Sequence, residues 1–184
     1  MRRAKMPAMD VCVRRITAAD GPLLRELRLR SLSEAPEAFG QSLADAAARP
    51  DAEWRAEAKA ASQGDRRAWF IAHDAGADRT TSVGVVLVRR RPPDVALVFS
   101  MWVDPQVRRG GVGRVLIRAA TDWAASWGAD RVVLWVVAGN EPAIRFYQRL
   151  GFTLVDSGPD AESGRAYGAL AMVRGITAEA FRAP

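Results

Sequence analysis

A strand, a helix and a second strand follow one another in the middle of the chain, and this succession constrains the fold more than any other feature of the sequence. Residues 95–103 are rich in β-branched and aromatic side chains, which favours a strand. Apolar side chains then recur every three or four residues over 112–127, a pattern typical of an amphipathic helix. A strand is predicted over 131–137, which is apolar throughout after its first residue and therefore suited to burial on both faces. Because a helix connects the two strands, we expect them to lie parallel in one sheet.

Shorter patterns predict the remaining strands and helices. Further strands are expected at 11–16, 68–73, 82–90, 152–156 and 167–173, and further helices at 23–32, 51–61 and 140–150. The stretches 33–50 and 157–164 combine Pro and Gly with small or acidic residues, so we expect irregular connections there. Turn-length gaps between the strands of 68–103 predict an antiparallel meander. The expected fold class is α/β, with a single mixed, mostly antiparallel sheet of about seven strands flanked by about four helices around the central parallel unit.

Length and composition favour one self-contained domain. A chain of 184 residues is long enough for one full-sized core, and we take 10–184 as that domain and the basic segment 1–9 as an N-terminal tail. The single Cys and the single His exclude an intrachain disulfide and any site built from several His or Cys ligands, so no metal is expected. Cys12, in the first predicted strand, is expected to be a small buried apolar side chain.

Cellular location and macromolecular partners are predicted from what the chain lacks. It contains no apolar run of the 18 to 20 residues that a membrane span needs, and no signal-peptide run follows its basic start, so we expect a cytoplasmic protein without a membrane partner. The net charge of +6 raises the question of nucleic acid. Because the arginines are dispersed and the aromatic residues fall on predicted core stripes, nucleic acid is not the expected partner. Whether the chain forms a homodimer is left open.

The turn between the strand ending at Val103 and the next helix is rich in glycine and arginine. Its sequence over 103–113 is Val-Asp-Pro-Gln-Val-Arg-Arg-Gly-Gly-Val-Gly. Such a loop aims free backbone N–H groups and the positive end of the helix dipole at one point, which suits phosphate oxygens. A dinucleotide fingerprint would need glycine in place of Leu116, and a P-loop would need lysine in place of Arg114, so neither motif is present. We therefore predict an anion site of another kind, with charge added by the neighbouring arginines.

Two sequence blocks resemble the motifs of one family. The run V-x-P-x-x-R-x-x-G-V-G-x-x-L over 103–116 resembles the acetyl-CoA-binding motif of the GCN5-related N-acetyltransferase superfamily. Residues 140–152 resemble its second signature, N-x-x-A-x-x-F-Y-x-x-x-G-F. Two motifs in this order are far more specific than either alone. The one departure in the first block is Arg109, where many members have glycine, and it is compatible with the motif if its φ is negative.

The resemblance implies that acetyl-CoA donates an acetyl group to a primary amine by direct attack in a ternary complex, without an acyl-enzyme or a metal. It also implies a set of cofactor-binding residues, namely Met101, Trp102, Val103, Arg108, Arg109, Gly110, Gly111, Val112, Gly113, Arg114, Asn140 and Tyr147. In such a site, backbone N–H groups near 101–103 hold the acetyl carbonyl. The resemblance assigns to Tyr147 the protonation of the leaving thiolate, and Ser100 is the candidate for ordering a water.

The acceptor and its general base are not identified by either motif. Neither central strand carries an acid or a histidine, and Trp135 stands where relatives that acetylate ribosomal-protein N-termini have Glu. The family resemblance puts the acceptor between the early and the late connection, so we expect it to contact Glu34, Glu37 and Phe39. Further candidate bases are Asp45, Asp156, Asp160 and Glu162. A small amine is the expected acceptor, with a protein lysine or N-terminus as the alternative; outside this class, a CoA-binding domain without turnover and a basic nucleic-acid-binding module are the alternatives.

Overall fold

Seven strands form one sheet in the computed structural model, which describes residues 10–76, 81–156, 159–165 and 168–176. In chain order the strands are β1 (Val11–Arg15), β2 (Arg67–Asp74), β3 (Ser82–Arg91), β4 (Val95–Val103), β5 (Arg131–Val137), β6 (Thr153–Val155) and β7 (Ala169–Gly175). They lie side by side in the order β1-β2-β3-β4-β5-β7-β6. Only β4 and β5 are parallel among these neighbours, and the other pairs are antiparallel. The predicted fold class is therefore confirmed, including the meander β2–β4 and the parallel pair.

Six α-helices occur in the described residues, where about four were predicted. They are α1 (Gly21–Glu34), α2 (Leu43–Ala48), α3 (Asp51–Ser62), α4 (Val112–Ser126), α5 (Glu141–Arg149) and α6 (Pro159–Arg165). Short 3-10 turns at Pro36–Ala38 and Pro105–Val107 lie between α1 and α2 and between β4 and α4. None of the helices in these described ranges is long and apolar enough to cross a membrane.

The two unexpected helices lie in stretches that were predicted to be irregular, and both predictions are wrong for a physical reason. In α2, the side chain of Ser42 accepts a hydrogen bond from the Asp45 N–H, and the residues that follow are alanines, the strongest helix formers. α6 begins with Pro159 and has two acidic residues in its first turn, which suit the first position and the positive end of a helix. In both stretches the proline and the acidic residues are helix-start signals rather than loop signals.

Helices cover both faces of the sheet. On one face, α4 buries a stripe of apolar side chains against β2, β3 and β4, and α5 adds Ile144 and Tyr147 to the same core. On the other face, α1 and α3 bury leucines and Trp54 against Trp69, Ile71 and other side chains of β2 and β3. Full burial of one such leucine or valine contributes about 1.5–3 kcal/mol, so the two layers together hold the sheet in place.

Details at the edges of the sheet differ from the sequence predictions. Cys12 is exposed, which corrects the expectation of a buried thiol. Among the described strands, β1 lies at the edge of the sheet and pairs with β2 alone, with Cys12 opposite His73. β6 is shorter than predicted, and β7 begins at Ala169. Tyr167, placed in the last strand by the sequence, and the tail 1–9 lie outside the described residues.

Candidate functional site

The central feature of the site is an opening between the parallel strands β4 and β5. Their pairing runs from Val95 opposite Arg131 to Val98 opposite Leu134 and ends there. β5 nevertheless stays paired with β7 as far as Val137 opposite Ala169. The last part of β4 therefore separates from β5 while it stays paired with β3 as far as Val103, and the backbone groups on its β5 side have no strand partner in the described chain.

A bulge in β4 accompanies this separation. Trp102 lies opposite Val85 and Phe99 opposite Leu87, so Ser100 and Met101 together face the single residue Val86 of β3. Ser100 has a φ of 51°, in the left-handed region, where serine is uncommon. A bulge of this kind bends and twists its strand, which turns the end of β4 away from β5.

The loop after β4 leaves free N–H groups at the start of α4. The Asp104 side chain accepts a hydrogen bond from the Gln106 N–H at 2.9 Å and shapes the first turn of the loop. Gly111, with a φ of 91°, precedes the first residue of α4 and offers no side-chain cap. The N–H groups of residues 111–113 make no backbone hydrogen bond within the described chain. These groups and the positive end of the helix give the anion-binding geometry that the sequence predicts.

Arg109 has a φ of 72°. The negative φ that would make arginine compatible with the motif at this position is therefore not found. The loop uses here the left-handed conformation for which glycine is the usual residue. The side chain is exposed beside Gly110, and Arg114, in the first turn of α4, is also exposed. Both cations are therefore accessible to an anionic ligand at the loop.

Gly113 is the point where three elements meet. A Cβ placed on Gly113 would lie 2.9 Å from Cζ of Phe146 in α5 and 3.3 Å from Cε of Met101 in β4. Carbon atoms do not pack at 2.9 Å, so the start of α4 approaches β4 and α5 this closely only because residue 113 has no side chain. Buried Val112, on the inward side of the same turn, anchors the helix start in the core.

The side chains of Arg108 and Glu34 hold the loop against α1. Arg108 Nε donates to the Val103 carbonyl oxygen at 3.0 Å, and its Nη2 donates to Glu34 Oε2 at 2.5 Å. The same carboxylate oxygen accepts a hydrogen bond from Nε1 of Trp102 at 3.1 Å. Two residues predicted for different partners, Arg108 for the cofactor and Glu34 for the acceptor, thus bind each other at the end of β4.

Asn140 and Tyr147 both belong to α5, Asn140 as its N-cap and Tyr147 as a buried residue of the helix. The Asn140 side-chain oxygen accepts a hydrogen bond from the Ala143 N–H at 3.2 Å, so Asn140 caps the helix. Tyr147 is buried, with edge contacts to the rings of Phe146 and Phe152 at 5.0 and 5.7 Å. Burial raises the pKa of its phenol, which therefore stays protonated at neutral pH.

On the face that carries α1, aromatic side chains form the floor beside the opening. Phe99 of β4 and Trp135 of β5 stack with their ring centroids 5.6 Å apart. Nε1 of Trp135 donates to the Asp160 carbonyl oxygen at 2.8 Å, which fixes α6 on this face. The turn Pro36–Ala38 contacts β5 from the α1 side, so the two connections named in the sequence analysis do flank this floor.

The acids considered as candidate bases differ in their surroundings. Asp160 is paired with Arg91 of β3 at 2.5 Å, and Asp45 accepts a hydrogen bond from the Ser42 hydroxyl at 2.6 Å. Glu37, Glu162 and Asp156 are exposed. In the ranges that the structure describes, no three His, Cys, Asp or Glu side chains are grouped in a way that could hold a metal ion.

Sequence reasoning missed Arg28 and Gln41, which contact each other beneath the connection from α1 to α2. Arg28 is buried, and its Nε and Nη2 donate to Oε1 of Gln41 at 3.2 and 3.1 Å. Phe39, predicted to contact the acceptor, lies with its ring centroid 4.6 Å from Cζ of Arg28. The signal was present, because Arg28 stands four residues after Leu24 and four before Leu32, in the apolar stripe of α1.

A basic groove runs along α4 on the opposite face of the sheet. It has a volume of about 890 Å³ and extends from Arg114 to the end of α5 and to β7. Arg118, Arg149 and Arg174 also line it, and Asp122 is the one acid among the described residues of the lining. Because the groove begins at the first turn of α4, it continues the anion-binding surface of the loop.

The sequence model of the acetyltransferase (GNAT) family matches residues 28–152. This span begins within α1 and ends just after α5. It therefore includes β4 with its bulge, the glycine-rich loop, α4 and β5, which are the parts that build the opening.

Individual relatives agree with this match. Mycothiol acetyltransferase of Corynebacterium glutamicum is 33% identical over 75 residues, which cover 41% of this chain and 26% of that protein. The chain thus matches about a quarter of the length of that curated relative. The structure of a GCN5-related N-acetyltransferase from Kribbella flavida has a TM-score of 0.67 at 25% identity and covers 90% of this chain and 98% of its own. The paia N-acetyltransferase of Thermoplasma acidophilum, solved in complex with coenzyme A, has a TM-score of 0.70 at 15% identity over 91% of this chain and 100% of its own, a likeness that shows the fold alone.

Proposed function

Because the chain belongs to the acetyltransferase (GNAT) family, we propose that it is an acetyl-CoA-dependent N-acetyltransferase that acetylates a small primary amine by direct attack within a ternary complex. The observation that carries this proposal is the opening between β4 and β5 beside the free N–H groups at the start of α4. An extended ligand with a phosphate end and a reactive end suits that arrangement. The phosphates lie on the helix start, and the reactive end lies between the strands.

The glycine-rich loop holds the pyrophosphate of the donor. The free backbone N–H groups of residues 111–113 supply hydrogen bonds, and the helix dipole supplies positive potential. A Cβ on Gly111 would meet no atom within 4 Å, so the space over this part of the loop is open to a ligand. Arg114 and the basic groove behind it add charge for the rest of the nucleotide.

The end of β4 supplies donors for the acetyl carbonyl. The backbone from Met101 to Val103 follows the bulge and lies beside the opening. An N–H group aimed at the carbonyl oxygen stabilises the negative charge that develops there when an amine attacks the thioester. Removing one such donor typically lowers kcat by about 10²–10³.

Tyr147 protonates the leaving thiolate. A phenol is protonated at neutral pH and so carries a proton to give, and burial, which raises its pKa, keeps that proton in place until the thiolate forms. Asn140 orients the start of the same helix through its cap. The two residues of the second motif therefore act from one rigid element.

The amine loses its proton through water rather than to a carboxylate. Glu34 is occupied by Trp102 and Arg108, and Asp160 by Arg91. Ser100, half-buried at the bulge, orders a water that receives the proton and passes it to solvent. An acceptor that arrives partly deprotonated suits a site of this kind.

Thiol release from acetyl-CoA, measured against a panel of small amines and lysine-containing or free N-terminal peptides, tests the proposal. We expect release with at least one small amine and a CoA affinity measurable by calorimetry. Faster thiol release with peptides than with every small amine would indicate that the acceptor is a protein and not a small amine. Absence of CoA binding would refute the proposal as a whole. CoA binding without thiol release would indicate a CoA-binding domain that does not catalyse acetyl transfer.

A further inference from the structure

Arg28 is a buried cation on the acceptor side of the sheet, and the proposed reaction does not use it. Only 7% of its surface is exposed, and it lies in the inward stripe of α1. Nε and Nη2 share a single oxygen of Gln41, at distances near the upper end of the hydrogen-bond range. Nη1 is buried and has no hydrogen-bond partner in the described part of the chain.

The guanidinium of Arg28 lacks a counter-charge. Within the described residues no carboxylate lies within 4 Å of it, whereas Arg91 and Arg108 each contact one at 2.5 Å. Burial lowers the pKa of Arg28 to about 10, so the group is still charged at neutral pH. A buried charge is stable when it is paired and fully hydrogen-bonded, and one neutral oxygen does not provide this. The fold thus keeps a cation whose partner is missing from the described protein.

The surroundings of Arg28 form one wall of the acceptor side. Phe39 covers the guanidinium, and the turn that precedes Phe39 contacts β5. Across the floor, the exposed Arg89 lies over the Phe99 ring at 5.7 Å. Glu34 and Asp160 are each neutralised by an arginine, and the exposed Glu37 on the turn lies more than 4 Å from the guanidinium of Arg28, so no acid of the described wall pairs with this cation. The wall therefore attracts an anion at Arg28.

We propose that the acceptor amine also bears a carboxylate and that Arg28 binds this carboxylate, which makes Arg28 a specificity-determining residue; the proposal rests on the proposed function. A guanidinium edge and a carboxylate match each other as a planar, bidentate pair, and Nη1 and Nη2 form such an edge. The carboxylate takes the free Nη1 and displaces the Gln41 oxygen from Nη2. Because Nη1 is covered in the structure, the connection that carries Phe39 and Gln41 moves outward as the ligand enters.

Matched pairs of acceptors test this proposal. Each pair consists of an ω-amino acid and its primary amide, for example β-alanine and β-alaninamide, compared by kcat/KM in the thiol-release assay. The wild-type protein is expected to prefer the acid of the best pair by about 10-fold or more, the size of one charge-assisted hydrogen-bond pair. An equal rate for the acid and the amide in every pair would overturn the proposal.

Gln41→Glu is the sharpest variant. It is nearly isosteric and gives Arg28 an internal carboxylate, so we expect it to fold, to melt at a higher temperature and to lose the preference for the acid through a raised KM. The amide is expected to react as in the wild type. Arg28→Met, which replaces the cation by an apolar side chain of similar length, is expected to lose the same preference. Arg131→Gln, the control, removes an arginine at the paired end of β5 and is expected to keep the preference for the acid. Wild-type preference in both Gln41→Glu and Arg28→Met would overturn the proposal.

The experiment separates this proposal from the proposed function. If no amine of either kind releases thiol, the function fails, and the Arg28 site is tested by binding alone. The melting temperature is then measured with N-acetyl-β-alanine or with its amide. A rise with the acid only, present in the wild type and absent in Gln41→Glu, supports the carboxylate site. Equal shifts with both compounds, or none with either, refute it.

Discussion

Replacing Arg109 by glycine is expected to stabilise the protein relative to replacing it by alanine. Arg109 has a φ of 72°, where the Cβ of an L-residue crowds the following carbonyl oxygen at a cost of about 1–2 kcal/mol. Glycine avoids this contact, but its freer unfolded chain costs about 0.4–1 kcal/mol relative to alanine. The difference leaves a gain of about 0.5–1 kcal/mol for glycine. In a protein of this size, such a gain raises Tm by about 1–4 °C.

Arg109→Ala is the matched control, because both variants lose the guanidinium and only the glycine variant loses the Cβ. Thermal unfolding of the three proteins, followed by circular dichroism, gives Tm, and calorimetry at several salt concentrations gives the CoA affinity. We expect Arg109→Gly to melt above Arg109→Ala and the two to share the same salt dependence of CoA binding. A glycine variant that melts at or below the alanine variant would refute the argument from backbone strain.

Three further changes test other parts of the structure. Gly113→Ala puts a methyl group 2.9 Å from Phe146, so we expect weaker CoA binding by calorimetry, whereas Gly175→Ala, where a Cβ meets nothing within 4 Å, leaves binding unchanged. Tyr147→Phe keeps the buried ring and removes the proton, so kcat is expected to fall about 10²–10⁴-fold with little change in CoA affinity; a fall in affinity alone would contradict the assigned role. The Arg14 guanidinium and Thr17 hold the pKa of Asp20 at about 2, so the stability from this pair is present above about pH 4 and is lost as the pH falls towards 2. Urea unfolding should therefore show a smaller free energy of unfolding for Asp20→Asn than for the wild type at pH 7, and a smaller difference between the two proteins at pH 2.5. A difference that does not change with pH would refute the assignment.

The sequence predicted the parts of the fold that depend on local pattern. The parallel pair followed from the apolar run of β5 and the crossover helix α4, and both are where the pattern put them. The short helices α2 and α6 were missed because six or seven residues carry too little periodicity to outweigh Pro and Gly nearby. Cys12 was misjudged because alternation along a strand shows that a face exists but not whether another element covers it.

The parts of the site that depend on backbone geometry could be predicted from the sequence. The parts that depend on contacts between distant side chains could not. Glycines before a helix indicate free N–H groups, so the loop was found from the sequence alone. The bulge at Ser100 had no sequence signal, because neither glycine nor proline stands there. The pairing of Glu34 with Arg108 joins residues 74 positions apart, and such a contact exists only once the chain has folded.

The contact between Gly113 and Phe146 also bears on how this protein can change over generations. Residue 113 lies inside one motif and residue 146 inside the other, so two segments that look independent in the sequence share one packing space. A methyl group at 113 requires the ring at 146 to move aside or to become smaller, and a larger ring at 146 favours glycine at 113. Substitutions at these two positions should therefore be inherited as a pair, and an exchange of either motif between proteins of this family should succeed when the other motif is exchanged with it.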